Sequence, residues 1–282
     1  MATRKLRKSI GIIVPTASSQ FHENFLDSFT TECLKREYQT TIILTHNDLS
    51  VEKNAINTLS KISDALVITS CAKDYNEIKD CIPKTIPAIF LLNKPKDCPH
   101  TCILESDFSA IYQGVISCSN RGFSKMAFVC STIDDTFTLE CLKAFQSAVD
   151  SFSQDEFDES CVYEVGNPFK YDPKELLNKL SNEGYKAIFA PSPAITKSLV
   201  DSLMIYNSKV SDETSIVLLG YSTNTDLLSS HLYVDIIEQP SEEIVSLTAQ
   251  QVFYHIAHPR KDEGNTFLLK GTLRLHRVSG WL

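Results

Sequence analysis

Glycine is scarce in this chain. There are nine in 282 residues, about 3% where ~7% is usual. No G-x-G-x-x-G, Walker loop or G-x-S-x-G stretch occurs, which argues against a phosphate-cradling loop or a nucleophile elbow. H-E-x-x-H is missing too. Ser70-Cys71-Ala72-Lys73 fits S-x-x-K, but no S-D-N or K-T-G accompanies it. An enzyme is therefore not expected. In "CPHTC", Cys98 and Cys102 flank His100 without a fourth ligand, so neither a metal nor another cofactor is expected. No run of about 18 apolar residues exists, so no membrane span is indicated. The basic start "MATRKLRK" is followed only by the short apolar run Ile10 to Val14, which suits a strand better than a secretion signal. Net charge is −8, and the one dense basic cluster is Arg4, Lys5, Arg7 and Lys8. That argues against a free-standing nucleic-acid binder. Nine cysteines fall at irregular spacing, several inside apolar runs. An odd, scattered set reads as reduced thiols of a cytoplasmic protein.

What is present is alternation. Ten short β-type runs are expected at 9–14, 40–45, 65–70, 88–92, 102–105, 125–130, 161–165, 187–190, 215–220 and 234–238. Each is almost continuously apolar, as strands covered on both faces are. Helical periods lie between them. Phe21, Phe25, Phe29 and Cys33 recur every fourth residue. Asp172-Pro173-Lys174-Glu175 and Ser192-Pro193 read as helix caps with a first-turn proline, and Ser241 as the cap of a helix to about His255. His255 and His258 then fall at a solvated helix end. Strand–helix alternation predicts α/β architecture with parallel sheets and right-handed crossovers. This length and number of strands suit two doubly wound lobes, with ligands at the carboxyl ends of the strands.

"IGIIVPTASSQFHENF" resembles the pattern I-G, three hydrophobic residues, P-D-x-x-N-P-F-F. "SDALVITS", "IPAIFLLNK", "NRGFSKMAFV", "YKAIFAPSPAITKSLVDSL", "DETSIVLLGYS", "DIIEQPSEEIVSLTAQQVF" and "LRLHRVS" follow in the order of further patterns of the same family. Over Ile10 to Ser279 the chain is similar to the effector-binding core of lactose-repressor-like (LacI/GalR) transcription regulators. The resemblance implies a type I periplasmic-binding-protein-like fold, with two lobes joined by a three-strand hinge. Its lobes would be 8–107 plus 241–265 and 110–238 plus 268–282, after a basic linker remnant at 1–8. The family's helix-turn-helix headpiece is not matched, so an excised core and a natural headless relative both stay open.

The resemblance also places a cleft. The family aspartate after the first proline is Thr16 here, and its asparagine before the aromatic pair is Ser19, beside Ser18. Phe21 keeps the first aromatic, and Ser70 ends a strand at a cleft position. Asn93-Lys94 stands for D-R, Cys141 for an arginine, Ser192-Pro193 for N-D, and Ser222 for the aspartate of G-F-D, while Asp107 and Gln239 are kept. Losing charged, bidentate groups removes what discriminates sugar hydroxyls most strongly. A weakly polar ligand, an ordinary sugar and no small ligand all stay open. The function implied is a ligand-sensing, dimerising regulator core, with a solute-binding protein for a transporter as the alternative. A small-molecule effector and a homodimer are expected, with contacts near 51–62, 74–82 and 222–233, where 51–62 and 74–82 are taken as helices. Operator DNA would be bound only through the headpiece.

Overall fold

This computed structural model describes residues 7–17, 20–133, 136–152, 157–207, 217–221, 234–258 and 264–275. The chain divides into two compact units, Met1–Glu105 with Pro240–Leu269, and Ser106–Gln239 with Lys270–Leu282.

The first unit runs β1 (Ser9–Val14), α1 (Gln20–Leu34), β2 (Gln39–Leu44), α2 (Leu49–Ile62), β3 (Ala65–Ile68), β4 (Ala88–Leu91) and β5 (Thr101–Glu105). The second runs α3 (Phe108–Asn120), β6 (Met126–Cys130), α4 (Thr136–Phe152), β7 (Val162–Glu164), α5 (Pro173–Asn182), β8 (Ala187–Ala190), α6 (Pro193–Asn207), β9 (Val217–Tyr221) and β10 (Val234–Glu238). Helix α7 (Ser241–Ala257) and strand β11 (Thr266–Leu269) then complete the first unit, and β12 (Thr272–Arg274) the second. All ten expected strands are present, and β11 and β12 add to them.

The sheet orders are β11-β5-β4-β3-β1-β2 and β12-β10-β9-β8-β6-β7. The two orders correspond strand for strand, β1 with β6 through β5 with β10. Every pair in the first sheet is parallel, whereas β10 and β12 run antiparallel in the second.

Strand alternation sorts the apolar side chains. Ile10, Ile12 and Val14 of β1 join Phe25, Phe29, Ile244 and Val252 on one face of the first sheet. Ile13 joins Ala55, Ile56 and Leu59 on the other. Each fully buried Ile, Leu or Phe contributes about 1.5–3 kcal/mol, so both faces hold the sheet. Gly11 admits α2 closely, since a Cβ there would stand 2.7 Å from Leu66 Cδ2 and 2.9 Å from Leu59 Cβ.

Asp172 caps α5, accepting from the Lys174 and Glu175 backbone N–H groups, with Pro173 in the first turn. Ser241 does not cap α7: it is the first helical residue, Pro240 precedes it, and its hydroxyl is buried without a hydrogen-bond partner. The stretch 74–82 is not one helix but two single turns, Tyr75–Glu77 and Lys79–Cys81. Ile78 between them breaks the helical path at φ −123°. His255 is not solvated. It is 3% exposed and its Nε2 lies 3.0 Å from the Thr101 hydroxyl. Of the basic start, Arg7 donates to the Ser60 and Ser63 carbonyls at the end of α2, at 3.2 and 3.0 Å. A cation there suits a helix carboxyl terminus. Residues 1–6 and 222–233 lie outside the described residues.

Candidate functional site

In doubly wound sheets, ligands meet the carboxyl ends of the strands. In the first unit that end is tied by backbone bonds. Thr45 donates to Val14 (2.9 Å), His46 to Pro15 (2.9 Å) and Thr69 to Ile13 (2.8 Å). Thr16 follows Pro15 and is half-buried. Ser18 and Ser19 lie outside the described residues.

Phe21 is 5% exposed, and its ring stacks on Phe25 at 6.1 Å, which stacks on Phe29 at 5.3 Å. His22 meets Phe21 edge-on at 5.6 Å, and burial lowers the pKa of its imidazole.

At the end of β3 the organising group is Glu52, which the sequence reading did not single out. It lies in the first turn of α2 and is 0% exposed. Its carboxylate accepts from the Ser70 hydroxyl at 2.5 Å, the Cys71 N–H at 2.8 Å and the Cys71 thiol at 2.9 Å. Ser70 Oγ also accepts from the Ala72 N–H at 3.1 Å, so its partners are not those of an S-x-x-K nucleophile. Burial first, then Glu52, pushes the Cys71 thiol up to about 12. Asn93 donates its amide to the Ser70 carbonyl at 2.6 Å, which joins the ends of β3 and β4. A clue to Glu52 lay in its place: a carboxylate in a helical first turn is favoured by the exposed N–H groups there.

Lys94 is set apart from this group. Its ammonium donates to Thr266 Oγ1 at 3.0 Å. Thr266 pairs with Cys102, three residues short of Glu105 at the carboxyl end of β5, roughly 10 Å down the strand.

In the second unit, the end of β9 carries Tyr221, 1% exposed. Its hydroxyl donates to Asp107 Oδ2 at 2.7 Å and lies 3.9 Å from Cys141 Sγ. Asp107 precedes α3 without capping it through its side chain, and its other oxygen accepts from the Gly271 N–H at 2.8 Å. The Tyr221 N–H in turn donates to Thr196 Oγ1 at 3.1 Å. Gly220 makes this possible, because a Cβ there would fall 2.4 Å from that oxygen. Phe137, the second residue of α4, is 36% exposed and sits edge-on to Tyr221 at 5.6 Å.

Two predicted residues, Asp107 and Cys141, thus meet through Tyr221. Ser192 is half-buried and accepts, at 3.5 Å, from the Ile195 N–H in the first turn of α6. Gln239 is half-buried directly after β10. Ser222 lies outside the described residues. Tyr221 and Phe137 were not singled out from sequence. The signals were a tyrosine where the resembled pattern has phenylalanine, and a phenylalanine at the second position of a helix, as Phe21 is.

Among the described residues, no three or more His, Cys, Asp or Glu side chains are arranged to hold a metal ion. No described helix is long and apolar enough to cross a membrane.

Two mainly parallel six-stranded sheets of matching order, with polar groups gathered at their strand ends, define the type I periplasmic-binding-protein-like class. Within that class the fold is that of the effector-binding core of LacI-family regulators. The Cra transcriptional dual regulator of Pseudomonas putida, solved with fructose 1-phosphate, superposes with a TM-score of 0.79 at 16% identity, over 96% of this chain and 100% of that one. A LacI-family regulator of Enterococcus faecium with bound ribose gives 0.75 at 18% identity, over 94% and 96%. By sequence, the HTH-type transcriptional repressor PurR of Haemophilus influenzae (strain PittEE) is 23% identical over 265 residues, 91% of this chain and 76% of that protein. A PurR of Mannheimia succiniciproducens is 20% identical over 258 residues, 89% and 75% of the two chains. No family model matches the chain.

Proposed function

We propose that this chain is the effector-sensing core of a LacI-type transcription regulator and takes a neutral or weakly polar small molecule at the carboxyl ends of its strands. Repressors among its relatives and regulators among its structural neighbours support the regulatory role. The observation that carries the ligand class is the Asp107–Tyr221 pair beside the part-exposed ring of Phe137. A ring face and a hydroxyl network suit a flat or hydroxylated neutral molecule. An anionic ligand would need a cation, and the arginine position is Cys141, 2% exposed, while Lys94 bonds to Thr266. Ser192 and Gln239 of the same unit are further polar contacts in this proposal, and homodimerisation, a cytoplasmic setting and control of operator DNA belong to it.

The test is a thermal-shift screen of the chain against sugars, sugar phosphates, nucleobases and aromatic metabolites. A ligand at 100 times its Kd stabilises by about 2.7 kcal/mol, an easily read shift. The expected hit is neutral, is lost in Phe137→Ala and survives Lys94→Ala. A sugar phosphate whose stabilisation vanishes in Lys94→Ala would overturn the ligand class.

A further inference from the structure

The loop from β4 to β5 and the start of β5 carry a pair of thiols that the effector site does not use. The Cys102 sulfur, near the start of β5, lies 4.0 Å from the Cys98 sulfur and 3.3 Å from the His100 carbonyl oxygen, and can donate its one proton to either. Cys98 is 8% exposed and Cys102 0%, so a small oxidant meets Cys98 first. Cys102 is held by the sheet, its N–H donating to the Asn265 carbonyl at 2.8 Å. Cys98 sits on a less regular path, next to Asp97 at φ 57° and a few residues after Leu92 at φ 62°. Both are left-handed conformations that non-glycine residues seldom take. A disulfide needs its sulfurs at about 2.05 Å, and the loop side supplies the movement.

We propose that Cys98 and Cys102 form a peroxide-sensitive dithiol that closes to a disulfide, with Cys98 attacking and Cys102 resolving. The bond from Cys102 favours the thiolate on Cys98 against the opposing effect of burial, and the His100 backbone and the Lys94 charge add to it, while Cys102 is held protonated by that same bond and by burial. The Cys98 thiolate attacks one oxygen of a hydroperoxide, the O–O bond breaks, and Cys98 becomes a sulfenic acid as the other oxygen leaves as hydroxide or alkoxide and takes up a proton. The Cys102 sulfur then attacks the Cys98 sulfur, the S–O bond breaks, and hydroxide leaves with the Cys102 proton as water. Two thiols lose two electrons, and the hydroperoxide gains them. Cys71 and Cys161 are poor competitors, since burial pushes their thiols up to about 12 and about 11. The half-buried Cys81 serves as the internal reference.

The test treats the full chain with hydrogen peroxide and maps thiols by alkylation and mass spectrometry without reduction. The peptide holding Cys98 and Cys102 should lose two hydrogens and resist alkylation before Cys81 reacts. Cys102→Ser should stop at a sulfenic acid on Cys98 that a dimedone probe captures, and Cys98→Ser should leave Cys102 reduced. Oxidation of Cys81 while the Cys98–Cys102 peptide stays alkylatable would overturn the proposal. Oxidation of Cys102 at the wild-type rate in Cys98→Ser would overturn the assignment of Cys98 as the attacker. None of these outcomes depends on effector binding.

Discussion

The first crossovers of the two units begin alike and end differently. In each, the first strand feeds a helix whose second residue is phenylalanine, Phe21 in α1 and Phe137 in α4. Phe21 is 5% exposed and Phe137 36%. The residue four positions on decides it, because i and i+4 share a helix face. Behind Phe21 stands Phe25, which extends the stack to Phe29 and draws the ring into the core. Behind Phe137 stands Cys141, too small to stack, and the ring leans on Tyr221 instead. The same two-residue start thus yields a core ring in one unit and an available ring in the other.

The largest expected effect tests that difference directly. Phe25→Ala removes the middle of the aromatic column from a fully packed site and should cost about 3–5 kcal/mol. Phe137→Ala removes a ring already in contact with solvent and should cost less than about 1.5 kcal/mol, since little buried area is lost. Urea denaturation of the two variants reads both. Equal losses would mean that Phe137 is as much a core residue as Phe25, and the comparison would fail.

The second effect concerns the strand-end carboxylates. Glu52 in the first unit has three neutral donors around it, Asp107 in the second has Tyr221 and Gly271. Tyr221→Phe keeps the ring against Phe137 and deletes one donor to a 5%-exposed carboxylate. The expected loss is about 1–3 kcal/mol, the cost of leaving a buried acceptor short of a partner. A Tyr221→Phe protein as stable as the parent would show that water replaces the hydroxyl, and that the second site is wetter than the first.

The architecture was legible because the signal is local. Runs such as Ile10–Val14, Ala65–Ile68 and Ala187–Ala190 are apolar on both faces, and each became a buried strand. The α1 face was legible for the same reason, with Phe21, Phe25, Phe29 and Cys33 all buried. The misread pieces turn on geometry that spacing does not carry. Ser241 has a capping side chain but sits one residue too late, behind Pro240. The contacts that organise the site are long-range: Glu52 meets Ser70 18 residues away, and Tyr221 meets Asp107 114 residues away. Asp107 and Cys141 could be marked from family patterns. The tyrosine that joins them could not be marked by periodicity, because an apolar strand end reads the same with either aromatic. Lys94 shows the converse: a cation at a marked position turned by its own loop toward β11.

The smallest effect is a pH dependence that one unit has and its counterpart lacks. The third residue is His22 in α1 and Thr138 in α4. Burial lowers the pKa of His22, so the folded state favours the neutral ring. In the unfolded chain a histidine takes its proton near pH ~6.5. As pH falls through that value the unfolded state binds the proton and the folded state resists it, so stability is lost toward acid. The contribution is complete above the unfolded pKa and fades as pH drops through the lower, folded one. His22→Thr, which copies the second unit, removes this slope. The urea midpoint of the parent should therefore fall relative to that of the variant between about pH 7.5 and about pH 5, as the unfolded parent's histidine begins to charge below ~6.5. If the two proteins instead lose stability in parallel across that window, the acid sensitivity belongs to other groups, and His22 is a neutral spacer beside Phe21.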